Sequence, residues 1–98
     1  MSKPDIDFIA ELESIVKGRL AQGSEESYTV RLAVAGTKRI AQKVGEEGVE
    51  LALAAVAGNR QEIVDEAADL VYHLIVLLAD KGLSIEDIAE RLRSRHAP

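Results

Sequence analysis

Four glycines divide this chain. Gly23, Gly36, Gly58 and Gly82 each follow a run with apolar residues at helical spacing, and glycine is the residue best suited to close a helix. Phe8, Ile9, Leu12, Ile15, Val16 and Leu20 make up the first run. A polar connector, Ser24-Glu25-Glu26-Ser27, leads to Tyr28–Ala35, which fits either a short helix or an ordered loop. Thr37 reads as the N-cap of a long helix running to Ala57. Asn59-Arg60-Gln61-Glu62 reads as a capping-box variant opening a helix from Arg60 to about Lys81. Ser84 is expected to cap the last helix, with Leu83 and Ile88 as a hydrophobic staple, before the polar tail Ser94-Arg95-His96-Ala97-Pro98. No strand alternation and no hairpin-turn signal interrupts this pattern. The expectation is an all-α fold of four to five helices around a central antiparallel helical hairpin.

At 98 residues there is room for one domain, expected over 1–98 with an ordered core at about 5–93. A lone chain of this size leaves a large share of its surface in water, so a homo-oligomer built as a helical bundle is expected. The balance of 12 basic and 17 acidic residues, net −5, argues against non-specific nucleic-acid binding. Phe8, Tyr28 and Tyr72 are too few aromatics for a base-stacking platform. There is no cysteine, hence no disulfide framework and no thiolate chemistry. The N-terminal Met-Ser-Lys-Pro-Asp-Ile-Asp lacks the basic start and apolar core of a signal peptide, and the longest apolar run, Leu70–Ala79, is too short to span a bilayer. A cytoplasmic protein without a membrane or nucleic-acid partner is expected.

The chemistry lies in two groups of acids. Glu46-Glu47-x-x-Glu50 falls on the third helical stretch and Glu66-x-x-Asp69 on the fourth. The i, i+3 spacing places the members of each pair on one helical face, and a hairpin brings the two faces together. Like charges so close are unfavourable unless a cation joins them, and oxygen-rich clusters suit Mg²⁺, Mn²⁺ or Ca²⁺. On the third stretch Ile40, Val44, Leu51 and Ala55 mark the core-facing stripe, and Glu47 falls near its middle, an expensive place for an unpaired carboxylate. On the fourth, Ile63, Ala67, Leu70, Leu74 and Leu77 form the stripe, with Glu62, Glu66, Asp69 and His73 along its edge. Val71, Ile75 and Leu78 widen that arc enough for a second packing partner, such as another subunit. The plain alternative for the acids is a solvated face held by pairs such as Lys43–Glu47. His73 reads equally as a satisfied buried histidine or as a substrate contact. Lys43 reads equally as a partner of the acids or as a contact to phosphate oxygens.

Three phrases carry a resemblance: Ser27-Tyr28-Thr29, Lys43-Val44-Gly45-Glu46-Glu47-Gly48-Val49-Glu50, and Glu66-Ala67-Ala68-Asp69-Leu70-Val71-Tyr72-His73-Leu74. The acidic motif, with fifteen residues between Glu50 and Glu66, resembles the all-α MazG-like nucleoside-triphosphate pyrophosphohydrolases. The full set, over roughly residues 5–92, resembles the phosphoribosyl-ATP pyrophosphatases of histidine biosynthesis. Gly48 departs from the alanine more usual there, without touching the acids. The resemblance implies hydrolysis of 1-(5-phosphoribosyl)-ATP to 1-(5-phosphoribosyl)-AMP and pyrophosphate, dependent on Mg²⁺ with Mn²⁺ as a substitute, in an obligate homodimer. It implies Glu47, Glu50, Glu66 and Asp69 as metal ligands. Glu46 and Glu47 are implied as catalytic, Glu46 orienting or deprotonating the attacking water or holding a second ion. Tyr28, Thr29, Lys43 and His73 are expected to bind substrate, with Lys38 or Arg39 adding positive charge. The phosphoribosyl-AMP cyclohydrolase that acts next is expected as a separate polypeptide in functional proximity. The rival readings are a MazG-like hydrolase of other (d)NTPs, a metal-binding regulatory module, and a non-enzymatic helical dimer with an acidic surface.

Overall fold

The computed structural model describes residues 4–98; Met1–Lys3, the start of the segment read for a signal peptide, lies outside them. Five helices follow one another: α1 (Pro4–Gln22), α2 (Tyr28–Ala35), α3 (Thr37–Ala57), α4 (Arg60–Asp80) and α5 (Ile85–His96). Among the described residues there is no strand. Helix α1 begins four residues before the first apolar residue of its run, with Asp5 and Asp7 in the turn where the helix dipole favours negative charge.

All four dividing glycines adopt positive φ. Gly58, at φ 82° and ψ 12°, is a left-handed C-cap whose N–H reaches the Ala54 carbonyl at 3.0 Å. A side chain there would be strained, so the tight connection between α3 and α4 depends on glycine. Asn59 next caps α4, its side-chain oxygen accepting from the Glu62 N–H at 3.0 Å. Only this half of the expected capping box forms. Thr37 is not a cap: Gly36 holds that place through its carbonyl, which accepts from Ile40 N–H at 3.2 Å. The Thr37 hydroxyl instead donates to Asp80 at the far end of α4. That bond ties the first residue of α3 to the last of α4, as the antiparallel pairing set by the short Gly58-Asn59 connection allows.

Ser27 settles the short segment as a helix, its hydroxyl accepting from Val30 N–H at 3.3 Å. Ser84 and Asp87 form a reciprocal capping box at the start of α5. Leu83 and Ile88, expected as a staple, stay 46% and 37% exposed. The start of α5 is held to α1 by Glu13, whose carboxylate accepts the Ile85 N–H at 2.7 Å.

The core consists of Val16, Leu32, Ile40, Ile75 and Val76, drawn from α1, α2, α3 and α4. On α3 the buried line runs Ile40, Glu47, Ala54, with Val44 and Leu51 half-buried between them. Ala55, placed in that stripe from the sequence, is exposed and Ala54 takes its place. On α4 the expected stripe of Ile63, Ala67, Leu70, Leu74 and Leu77 is half-buried throughout. The fully packed positions are His73, Ile75, Val76 and Leu78, because the C-terminal half of α4 is surrounded by α1, α2 and α3. The second packing partner expected from Val71, Ile75 and Leu78 is thus supplied within the chain, where Ile75 and Leu78 are buried.

Ile75 has no exposed surface, so Ile75→Ala should destabilise the fold by about 2–5 kcal/mol in chemical denaturation. A loss below about 1 kcal/mol would mean that the core is not centred on this residue.

Candidate functional site

Antiparallel pairing sets the middle of α3 beside the first half of α4. One carboxylate oxygen each from Glu47, Glu66 and Asp69 lie within 4.8 Å of one another. Glu47 is 5% exposed, Glu66 is half-buried and Asp69 faces solvent. The cluster thus runs from the helix seam out to water, open on one side. Glu50 remains exposed on α3, outside this triad but close enough for its charge to act on Glu66.

The electrostatics follow from the crowding. The Glu66 carboxyl is held above its ordinary value, first by partial desolvation and then by the charges of Glu50, Glu47, Asp69 and Asp65. Lys43, one turn before Glu47, is the nearest counter-charge, with Nζ 3.3 Å from Glu47 and 3.6 Å from Glu46. Its ammonium is held above the ordinary lysine value by the hydrogen bond to Glu47, against some desolvation and with help from the charges of nearby Tyr28, Glu47 and Glu46. One lysine does not offset this many acids.

The donor set fits a divalent cation of the hard, oxygen-preferring kind. Three carboxylate oxygens converge, one of them on a buried side chain in an apolar seam, and their mutual repulsion is what such an ion relieves. Glu46 points elsewhere: it is exposed and accepts from Gln42 Nε2 at 3.1 Å. With Gln42, Gly45, Val49 and Glu50 it lines a shallow groove on the outer face of α3. Lys38 and Arg39 are exposed, and no ion pair joins either to the acids among the described residues.

Beside the acids, the N-terminus of α2 meets α4. Tyr28 and Tyr72 stack with ring centroids 6.2 Å apart, and His73 stands edge-on to both. The Tyr28 hydroxyl bonds His73 Nε2 at 2.9 Å, and His73 Nδ1 bonds the Asp69 carbonyl at 2.8 Å. The Thr29 and Tyr72 hydroxyls bond each other. Thr29 is 1% exposed and His73 is 6% exposed, so of the expected substrate contacts in this group Tyr28, at 41%, is the one open to solvent. Tyr72 was not among the site residues expected from the sequence. Its signal was its place one turn after Asp69 and next to His73.

The model of the phosphoribosyl-ATP pyrophosphohydrolase family matches residues 9–96. The histidine biosynthesis bifunctional protein HisIE of Photobacterium profundum is 54% identical over 94 residues, covering 96% of this chain and 45% of that protein. HisIE of Campylobacter jejuni is 53% identical over 92 residues, covering 94% and 44%. HisIE of Escherichia coli K12 is 54% identical over 89 residues, covering 91% and 44%. The chain spans less than half the length of these curated relatives. A match this long and this specific, on a chain whose acids converge as described, places it in the phosphoribosyl-ATP pyrophosphohydrolase family.

Proposed function

We propose that this domain hydrolyses 1-(5-phosphoribosyl)-ATP to 1-(5-phosphoribosyl)-AMP and pyrophosphate, the second step of histidine biosynthesis, with Mg²⁺ as its metal. The observation that carries this reading is the convergence of Glu47, Glu66 and Asp69 across the hairpin of a chain from this family. Glu47, Glu50, Glu66 and Asp69 are the ligands in this reading, and Mn²⁺ can replace Mg²⁺. A divalent ion there would neutralise charge on the phosphate oxygens and help orient water for in-line attack between the α- and β-phosphates. Glu46, exposed beside the triad, would orient or deprotonate that water on exchanging its contacts with Gln42 and Lys43. Lys43, kept protonated by Glu47, supplies positive charge for phosphate oxygens that the metal leaves exposed. Tyr28, seated by Thr29, Tyr72 and His73, faces the ribose or base.

The homodimer belongs to the same proposal. Val49, Leu53 and Val56 project from the outer face of α3, 60%, 65% and 88% exposed, at the spacing of a helix–helix seam. A second α3 packed there would extend the hairpin into a helical bundle. A cytoplasmic location is consistent with the absence, among the described residues, of any helix long and apolar enough to cross a membrane. Since the curated relatives carry the bifunctional name, proximity to a phosphoribosyl-AMP cyclohydrolase is part of the proposal.

Pyrophosphate release from phosphoribosyl-ATP should require Mg²⁺, stop with excess EDTA, and fall to background in Glu47→Gln while the helices remain folded. Near-normal turnover by that variant would remove Glu47 from the site. Turnover of dCTP or dUTP without turnover of phosphoribosyl-ATP would move the chain to another substrate.

Glu66 gives a pH-dependent test. Its folded-state value is raised, so the stability it contributes is present below the ordinary value of 4.5 and is lost as pH rises through the raised value. Glu66→Gln should therefore melt higher than the unmodified protein at pH 7 in EDTA. The difference should close as pH falls below 4.5, and saturating Mg²⁺ should stabilise the unmodified protein more than the variant. A variant that melts lower in EDTA at pH 7 would contradict the repulsion described here.

Leu53→Glu places a charge on the outer face of α3 without disturbing the core. Light scattering should show monomer for this variant and dimer for the unmodified chain; a dimer in both would move the interface elsewhere.

A further inference from the structure

The tyrosine hydroxyl that faces the site has its proton already committed. The Asp69 carbonyl only accepts, so the His73 Nδ1 that meets it at 2.8 Å carries the ring proton. In the neutral ring the other nitrogen then has no hydrogen and accepts, and Tyr28 donates its O–H to that Nε2 at 2.9 Å. The imidazole has little room to turn: it is 6% exposed and edge-on at 85° to Tyr28 and 86° to Tyr72. Tyr72 is fixed in turn by the buried Thr29 hydroxyl. The same Asp69 that orients the histidine through its backbone carries one of the clustered carboxylates on its side chain. Histidine and carboxylate cluster therefore share one rigid turn of α4.

We propose that His73 is a positioning residue that sets the polarity of the substrate contact at Tyr28. With its proton held by Nε2, the Tyr28 oxygen is left as an acceptor toward solvent. It therefore selects a substrate O–H or N–H donor, such as a ribose hydroxyl or an exocyclic amine, and disfavours a phosphate oxygen. This places the sugar or base at α2 and leaves the phosphates to Lys43 and the acid cluster. The inference rests on the nucleotide-hydrolase reading above.

The test is a double-mutant cycle on KM and kcat for phosphoribosyl-ATP with saturating Mg²⁺. Tyr28→Phe and His73→Phe should each raise KM about fivefold with little change in kcat, the size expected for one lost hydrogen bond. The double variant should be no worse than either single one, because both remove the same contact. His73→Gln, whose side-chain oxygen reaches the position of Nε2, should restore KM. Multiplying effects, or no rescue by glutamine in variants with unchanged circular dichroism, would overturn the proposal and leave His73 as packing.

A second measurement needs no turnover. Nitrogen-15 spectra should show His73 as the Nδ1–H tautomer, with an Nε2 resonance that moves in Tyr28→Phe. An Nε2–H tautomer, or an Nε2 resonance indifferent to that substitution, would overturn the polarity assignment. Absence of pyrophosphate release by the unmodified, folded chain would overturn the functional reading and with it the substrate role of Tyr28. The spectra separately decide the pairing of Tyr28 with His73.

Discussion

The carboxylate of Glu47 occupies a position that helix packing would give to leucine. Ile40, Val44, Glu47, Leu51 and Ala54 repeat at alternating four- and three-residue steps along the face of α3 that meets α4, the pattern of a close-packed seam. At its centre stands a buried acid, and what faces it across the seam is Glu66 and Asp69, of the same sign. Lys43 offsets part of this charge from the same helix, but a single ammonium cannot serve both sides. The hairpin therefore closes against its own electrostatics, and the opposing free energy comes from elsewhere in the chain.

That source is spatially separate. The residues without exposed surface, Val16, Ile40, Ile75 and Val76, lie where α1 and the ends of α3 and α4 meet, and Leu32 of α2 joins them. Toward the Gly58 connection packing thins: Val64 is 56% exposed and Leu53 65% exposed. Burial at one end of the hairpin stabilises the fold, and the acids occupy the middle, where the seam gives way to solvent. A cluster of repelling groups is tolerable there because the Gly58 turn and the Thr37–Asp80 bond fix the hairpin at both ends. The same arrangement makes any cation bound between the two helices a contributor to stability, since it binds the folded chain alone.

Helix ends and the acid pairs were legible in the sequence because both are local: a glycine at the end of a run, a cap residue, an i, i+3 spacing. What was misread depended on partners far along the chain. On α3 the buried line bears slightly to one side of the stripe read from the sequence, so that Ala54 rather than Ala55 continues it beyond Leu51. Thr37 looked like a cap because nothing nearby revealed that its hydroxyl would reach Asp80, forty-three positions away. On α4 the wide apolar arc of Val71, Ile75 and Leu78 signalled more than one packing partner, but not that the partners would be α1, α2 and α3 of the same chain. The Tyr28–His73 and Thr29–Tyr72 pairs, forty-five and forty-three positions apart, are illegible for the same reason.

Gly45 and Gly48 make the argument from the other direction. Each lies inside α3, where glycine costs about 1 kcal/mol relative to alanine. A Cβ at either position would meet no atom within 4 Å, so the packing of the single chain does not require glycine there. Both neighbour the acidic residues, and Gly45 lies in the floor of the groove formed with Gln42, Glu46, Val49 and Glu50. A side chain at 45 would enter that groove one turn before Val49, where the apolar face of Val49, Leu53 and Val56 begins. Glycine keeps the outer surface of α3 low where those two features adjoin. The helix is thus less stable in isolation than its length allows, at the place where glycine leaves its outer surface low.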